Sequence, residues 1–304
     1  MIKPTKNSVH VLAILSCLVA ASLWGLLWYP MRRLESMGLT GIAASLLVYT
    51  AALIPLLPFC LKNYRRMARR PLFYLLLALA AGWANLGFIL AILEGTVVRV
   101  ILLFYLSPVW TVILGWFILH EKPGWLAWVT IIMAMIGAVI MLWQPGTSLP
   151  LPGTPADIMA ITAGMAFALM NIIIRKAGDI PVRQKMIPVI TGVILLCLVA
   201  MAVLQLPLPT LTFPALGLGL AVGAAGLVMM IFTAQYGVTH LPVHRSAILF
   251  LFEIVAGAVS AALLTDEMVT SREWLGGALV IIAACLSARD SLQLDTGLSK
   301  NTVT

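Results

Sequence analysis

Ten apolar stretches, each long enough to cross a bilayer, follow one another along this chain with short connections between them. A spanning helix needs about 20 mainly apolar residues to cross a hydrocarbon core of about 30 Å. Ten of them would use roughly 200 residues, which leaves no room for a separate soluble domain in a chain of 304. The sequence predicts spans at 9–30, 39–61, 71–93, 96–119, 124–143, 155–177, 183–205, 212–238, 242–264 and 272–288.

The spans have the pattern of helices and not of β-strands. Strands of a membrane barrel are segments of about 10 residues that alternate apolar and polar side chains, whereas residues 131–139 and 190–203 are predominantly apolar on every face. We therefore expect an all-α integral membrane protein. The cysteines lie in four different spans without CxxC spacing, so neither a disulfide framework nor a zinc site is indicated, and no cofactor is expected. They are Cys17, Cys60, Cys197 and Cys285.

The basic residues indicate the orientation of the chain. If the amino terminus is cytoplasmic, 15 of the 19 lysines and arginines fall on the cytoplasmic side, with a cluster at 62–70. This bias places both termini in the cytoplasm and the protein in the cytoplasmic membrane. The net charge of +8 then follows from topology, so no nucleic-acid partner is expected. The four basic residues on the outer side are Arg32, Arg33, Arg99 and Arg272.

The two halves of the chain show signs of duplication. A shift of 146 residues aligns Arg99 with Arg245, Glu121 with Glu267 and Trp128 with Trp274, and a shift of 143 aligns Arg32-Arg33 with Arg175-Lys176. The alternative is chance similarity between hydrophobic sequences. Because each half has an odd number of spans, a duplicated half must enter the membrane upside down. The sequence thus predicts two inverted five-helix repeats, 1–146 and 147–291, followed by a polar and disordered tail at 292–304; such repeats build many secondary transporters.

Several motifs resemble the EamA family of the drug/metabolite transporter superfamily. They are a Trp-Gly pair in the first span and, in each half, a span that ends in Glu: Trp24-Gly25, Leu106-Ser107-Pro108 with Glu121, and Phe252-Glu253-Ile254 with Glu267. The resemblance implies ten helices, two repeats and the export or exchange of small metabolites such as amino acids. Family members usually have proline where this chain has Ile254.

Glu253 is the most informative single residue, because it lies about eleven residues from either end of the ninth span. An ionised carboxylate near the bilayer midplane costs about 3 kcal/mol or more. It must therefore face a wet cavity, find a partner or take up a proton. Glu253 could couple transport to protons or bind an amine of the substrate. The alternative is a protonated carboxyl group that bonds a neighbouring helix as a structural contact.

Two arginines in corresponding positions are candidates for the mouths of a transport path. Arg245 lies eight residues before Glu253, about 12 Å along a helix, and Arg99 is its repeat mate near the opposite face. They could attract anionic groups of a solute. The alternative is that both side chains extend to the interface and contact lipid phosphate or a helix end.

Aromatic and amide side chains at membrane depth complete the candidate site. A pocket of this composition suits an organic solute, although tryptophan and tyrosine also form interfacial belts and amides also bridge helices. The candidates are Trp24, Trp28, Asn85, Tyr105, Ser107, Asn171 and Gln235. Glu121 and Glu267 each end a span, where capping or a salt bridge is the simpler interpretation.

These features favour a secondary transporter of a small organic metabolite, an exporter that works by alternating access, with protons as the candidate coupling ion. One alternative is an uncoupled facilitator or channel. Another is a membrane-embedded enzyme, which is disfavoured because the four histidines lie at span ends without a paired carboxylate motif. The expected partners are a small-molecule substrate, the lipid bilayer and protons, and the expected assembly is a monomer or homodimer.

Overall fold

A computed structural model of the chain describes residues 6–67, 69–142, 153–207, 209–265 and 270–300. Within these ranges, ten helices are long and apolar enough to cross a membrane, which confirms the predicted all-α membrane architecture. They are α1 Ser8–Ser36, α2 Gly41–Lys62, α3 Pro71–Glu94, α4 Arg99–Leu119, α5 Trp125–Leu142, α6 Pro155–Lys176, α7 Val182–Val203, α8 Phe213–His240, α9 Val243–Leu264 and α10 Ser271–Arg289.

Ten crossings return the chain to the side on which it started. The start of α1 and the end of α10 therefore lie at one end of the molecule, called the termini side below. The ends of α1, α3, α5, α7 and α9 lie at the other end, called the far side.

The predicted spans agree with these helices to within three residues at every end except that of α1. There the helix continues to Ser36. The predicted span ended too early because the last turns of the helix carry Arg32, Arg33 and Glu35, and such charged residues resemble a connecting loop in the sequence. The final helix also continues past the end of α10, to Lys300. The helix thus includes residues 292–300 of the segment that the sequence analysis assigned to a polar tail, and residues 301–304 lie outside the described part.

Helices α4 and α9 are both interrupted in the middle, at corresponding places. The first segment of α4 is Val97–Phe104 and that of α9 is Val243–Phe250, so both bounds are 146 residues apart. In α4 the next segment starts at Ser107-Pro108. In α9 no proline is present, yet the helix tightens: the N–H of Leu251 bonds the carbonyl of Ile248, and that of Ile254 bonds the carbonyl of Leu251, both at 3.1 Å.

The packing of the ten helices has the symmetry of an inverted repeat. Helix α3 packs on α6 and α7, and correspondingly α8 packs on α1 and α2. Helix α4 packs on α6, as α9 packs on α1. Three helices also contact their own repeat mates: α5 contacts α10, α2 contacts α7 and α4 contacts α9. The halves are therefore interleaved around a shared centre, as two inverted five-helix repeats.

Close crossings between the halves depend on glycine. A Cβ on Gly82 of α3 would lie 2.6 Å from the carbonyl oxygen of Gly192 in α7, and a Cβ on Gly137 of α5 would lie 2.6 Å from that of Gly276 in α10. Small residues allow the backbones of membrane helices to approach in this way. These crossings fix the outer helices and leave space at the centre.

Candidate functional site

Two neighbouring cavities that share part of their lining occupy the centre of the molecule. The wide cavity has a volume of about 770 Å³ and is lined at the far side by Glu35, Leu93 and Glu273. The inner cavity has a volume of about 260 Å³ and lies deeper between the halves. The residues that line both cavities, and so mark where they join, are Trp24, Phe88, Ile101, Tyr105 and Glu253.

Glu253 lies at this junction because of the two helix breaks. It follows the break in α9 by two residues, is half-buried and lines both cavities. Tyr105 directly follows the first segment of α4 at the corresponding break, and it lines both cavities together with Glu253. The carboxyl group thus faces the cavity, where water or a solute can reach it.

The Trp-Gly pair of α1 forms the wall opposite Glu253. Trp24 lines both cavities. A Cβ on Gly25 would lie 2.6 Å from the carbonyl oxygen of Glu253, so glycine is what allows α1 to approach α9 here. Trp28 lines the wide cavity, and its indole N–H donates to the hydroxyl of Ser260 on α9 at 2.8 Å.

The predicted polar side chains Asn85, Ser107, Asn171 and Gln235 all line the inner cavity. The Gln235 amide N–H donates to the carbonyl of Lys185 at 3.3 Å, and that of Asn85 donates to the hydroxyl of Tyr49 at 3.5 Å. Their amide oxygens are buried and have no hydrogen-bond partner in the described part of the chain. Both oxygens are covered by protein in this conformation and are not exposed to the cavity.

A row of phenylalanine rings forms one wall of the inner cavity. The ring centroids of Phe88 and Phe104 are 4.8 Å apart, those of Phe104 and Phe167 are 5.8 Å apart, and those of Phe167 and Phe250 are 6.2 Å apart. They come from α3, α4, α6 and α9. The sequence did not single them out, because phenylalanine in an apolar span gives no polar signal. The 146-residue spacing of Phe104 and Phe250 was the available clue.

The structure does not bring the two predicted arginines to the cavity. Arg99 forms a two-pronged ion pair with Asp157, with N–O distances of 2.7 and 2.8 Å. Asp157 also accepts the backbone N–H groups of Gly153 and Thr154 at the start of α6. Arg245 is buried in the first turn of α9 and lines neither cavity. In this conformation neither arginine charge faces a solute.

The termini side is closed by a polar network between helix ends. Glu121, just after α4, accepts the Arg175 guanidinium at 3.0 Å and the backbone N–H of Val243 at 2.9 Å. Arg175 also donates to the carbonyl of Thr239 at 2.7 Å. Glu121 therefore forms a salt bridge and caps α9, as predicted, whereas Glu267 lies outside the described residues. We call Glu121, Arg175, Lys185, Thr239 and Val243 the closing network.

Lys185 is the member of this network that sequence reasoning misplaced. The sequence analysis counted Lys185 among the basic residues of the loops between spans. The structure shows its side chain fully buried in the first turn of α7. Its ammonium donates to the carbonyls of Ile174 and Ala177 at 3.2 and 3.3 Å and to the hydroxyl of Thr239 at 2.6 Å. It thereby ties α7 to α6 and α8.

One further ion pair lies at the exposed surface of the termini side. Arg70 approaches Asp179 to 2.9 Å and lowers the pKa of that carboxyl group from its usual value. Both side chains are more than half exposed, so water and salt screen the pair. The less exposed closing network is therefore the better candidate for the seal of the cavity.

Comparison with known proteins places this architecture in a family. The model of the EamA-like transporter family matches residues 11–143 and again residues 154–289. The chain belongs to the EamA-like transporter family. Each matched range contains five of the ten helices. The resemblance read from the Trp-Gly pair and the two Glu-ended spans is thus confirmed.

Relatives of this EamA-like protein support the same placement. It is 27% identical over 180 residues to the S-adenosylmethionine uptake transporter of Rickettsia prowazekii (strain Madrid E). That alignment covers 59% of this chain and 58% of the relative, so it spans less than two thirds of either protein. A solved crystal structure matches 93% of this chain and 98% of its own, with a TM-score of 0.71 and 16% identity, which supports the fold alone.

Proposed function

We propose that this EamA-like protein is a secondary transporter that carries a small organic metabolite across the cytoplasmic membrane by alternating access. The observation that supports it is a cavity that opens on the far side, reaches Glu253 and is closed on the termini side by the closing network. A carrier needs a central site that is reachable from one side at a time, and inverted repeats provide two related conformations for that purpose.

The orientation of this cavity follows from the basic residues. With both termini in the cytoplasm, the far side is external, and this conformation is open to the outside. The positive-inside bias supports that orientation even without Lys185 and Arg245, which are buried and cannot act as loop charges. The exposed Lys62, Lys122 and Arg183 all lie on the termini side.

The relative suggests the first solute to test. S-adenosylmethionine is the compound in the name of the Rickettsia protein, which is named for uptake, whereas the sequence favoured export. Flux of radiolabelled S-adenosylmethionine and of amino acids should therefore be measured in both directions in proteoliposomes. A carrier gives saturable flux that accelerates when unlabelled solute is present on the opposite side. A channel gives neither saturation nor acceleration, and no flux of any small metabolite would refute the proposal.

Protons are the proposed coupling ion, with Glu253 as their binding group. The Glu253→Gln variant keeps the shape of the side chain but cannot exchange a proton. We expect it to transport without response to an imposed pH gradient, or to lose net uphill flux by about tenfold or more. Glu94→Gln is the matched control, because Glu94 is exposed at the end of α3 and lines neither cavity. An unchanged pH response in Glu253→Gln would refute coupling through this residue.

A further inference from the structure

The charges that face the cavities are mainly negative. Among the described residues that line the inner cavity, Glu253 is the only charged one, and no lysine or arginine lines it. The wide cavity adds Glu35 and Glu273 against Arg32. The Arg32 guanidinium carbon lies 5.9 Å from the centroid of the Trp28 ring, near the mouth. An anionic group would thus find no cation in the depth of the site.

Basic residues close to the cavity are already committed to the protein. Two guanidinium nitrogens of Arg99 donate to the carboxylate of Asp157. Lys185 points to two carbonyl groups and a hydroxyl. Neither group offers its charge to a solute in the cavity, and Glu253 is the charged group that faces it among the described residues.

The amides of the inner cavity do not favour an anion. The amide N–H groups of Asn85 and Gln235 are directed to protein oxygens, and their amide oxygens are covered by protein. A carboxylate or phosphate in the cavity would therefore not receive these N–H groups as hydrogen-bond donors.

Aromatic side chains line the cavity walls together with Glu253. Trp24, Phe88 and Tyr105 line the junction of the two cavities, and Phe104 and Phe167 continue the wall inward. Aromatic faces attract cations and stack on planar rings. The joint volume of the two cavities is in the range that holds an organic molecule larger than a simple amine.

From this lining we infer the substrate class: an organic cation that carries an aromatic ring. The cation pairs with Glu253, and the ring packs on the aromatic wall. This inference rests on the proposed transport function and narrows it to one charge type.

A matched series of ligands tests the inference on the purified full chain. Tryptamine carries a primary ammonium, N,N,N-trimethyltryptammonium keeps the charge without ammonium N–H groups, tryptophol is neutral and indole-3-propionate is anionic. Apparent dissociation constants come from thermal stabilisation in detergent. We expect tryptamine to bind about tenfold or more tighter than tryptophol, the trimethyl compound to be intermediate, and indole-3-propionate not to bind. Phenethylamine and phenethyl alcohol repeat the comparison on a smaller ring.

Variants connect the preference to the residues. Glu253→Gln should bind tryptamine and tryptophol equally. Glu94→Gln should retain the preference of the native chain. If Glu253→Gln does not fold, as judged by its unfolding curve without ligand, Glu253→Asp replaces it, and a weakened but persistent cation preference is expected.

The outcomes separate this inference from the proposed function. Equal or better binding of tryptophol or indole-3-propionate, or no stabilisation by any cation of either series, would overturn the substrate class. Saturable, trans-accelerated flux of a neutral or anionic solute would also overturn it while leaving the transporter function in place. Cation binding at Glu253 without flux of any solute would keep the substrate class and overturn the transporter function.

Discussion

At the scale of single residues, the charges within the spans fall into two groups according to whether the protein itself compensates them. Arg99 and Lys185 have their charges met by protein oxygens. Glu253 instead faces a cavity, which Tyr105 also lines. Because a charge within a membrane protein must find a partner or water, the first group is structural, and the second is where a solute or proton can act.

Lys185 should contribute to stability far more than an exposed lysine does. Lys185→Met leaves the carbonyls of Ile174 and Ala177 and the hydroxyl of Thr239 without their donor. We expect a loss of about 2 to 4 kcal/mol in the free energy of unfolding, because hydrogen bonds to a charged group are removed and buried acceptors are left without a donor. The measurement is thermal unfolding in detergent, with exposed Lys176→Met as the control. Equal melting temperatures for the two variants would contradict the structural role.

Sequence reasoning reached the residues of the site whose signal is local. Trp24, Tyr105 and Glu253 stand out because polar or amphipathic groups are rare at mid-span. Arg99 could not be assigned in this way, since its partner Asp157 lies 58 residues away in another helix. The ring of Phe104 could not be assigned either, because an apolar side chain in an apolar span looks the same whether it faces lipid or a cavity.

At the scale of helices, the length of each apolar run predicted where the spans begin and end, but not how they bend. The break in α4 has Pro108 beside it, whereas the break at Leu251 in α9 has neither proline nor glycine next to it. The sequence next to it therefore does not account for this break, which lies where α9 crosses α1 at Gly25. Local propensity alone therefore could not reveal the feature that directs the carboxyl group into the cavity.

Helix crossings give the next prediction. A Cβ on Gly192 of α7 would collide with the backbone carbonyl of Ala78 in α3, and backbone cannot rotate away as a side chain can. We expect Gly192→Ala to destabilise the fold by about 2 kcal/mol or more through overpacking. Gly226→Ala in α8 is the control, because nothing lies within 4 Å of its added Cβ, and it should be neutral or stabilise by up to about 1 kcal/mol. The comparison is made from unfolding curves of both variants in detergent. If Gly192→Ala left the free energy of unfolding unchanged, α3 and α7 would be able to move apart to admit the added methyl group.

At the scale of the whole molecule, the two ends differ although the packing is symmetric. Arg175 and Val243 are held together through Glu121 on the termini side. Their repeat counterparts are Arg32 and Val97, which both line the open wide cavity on the far side. The same pattern of residues is thus sealed at one end and open at the other. This is the asymmetry expected when two equivalent halves alternate between two conformations.

The closing network then sets the balance between these conformations. Arg175→Met removes the bonds from the guanidinium to Glu121 and to the carbonyl of Thr239. Charge-assisted bonds of this kind contribute about 1.5 to 3 kcal/mol, which corresponds to a shift of about ten- to a hundredfold toward the conformation open on the termini side. Arg183→Met is the control, because Arg183 is exposed at the start of α7 on the same side.

Distances between spin labels can follow both ends at once. One pair replaces Lys122 and Lys176, exposed neighbours of the ion pair on the termini side, and the other replaces Leu93 and Ala261, which line the wide cavity. In Arg175→Met we expect the first distance to lengthen and the second to shorten in the same fraction of molecules, because a carrier closes one end as it opens the other. If the termini side opens while the far side keeps its distance, the cavity becomes a continuous pore. The protein would then be a gated channel, and the closing network would be its gate.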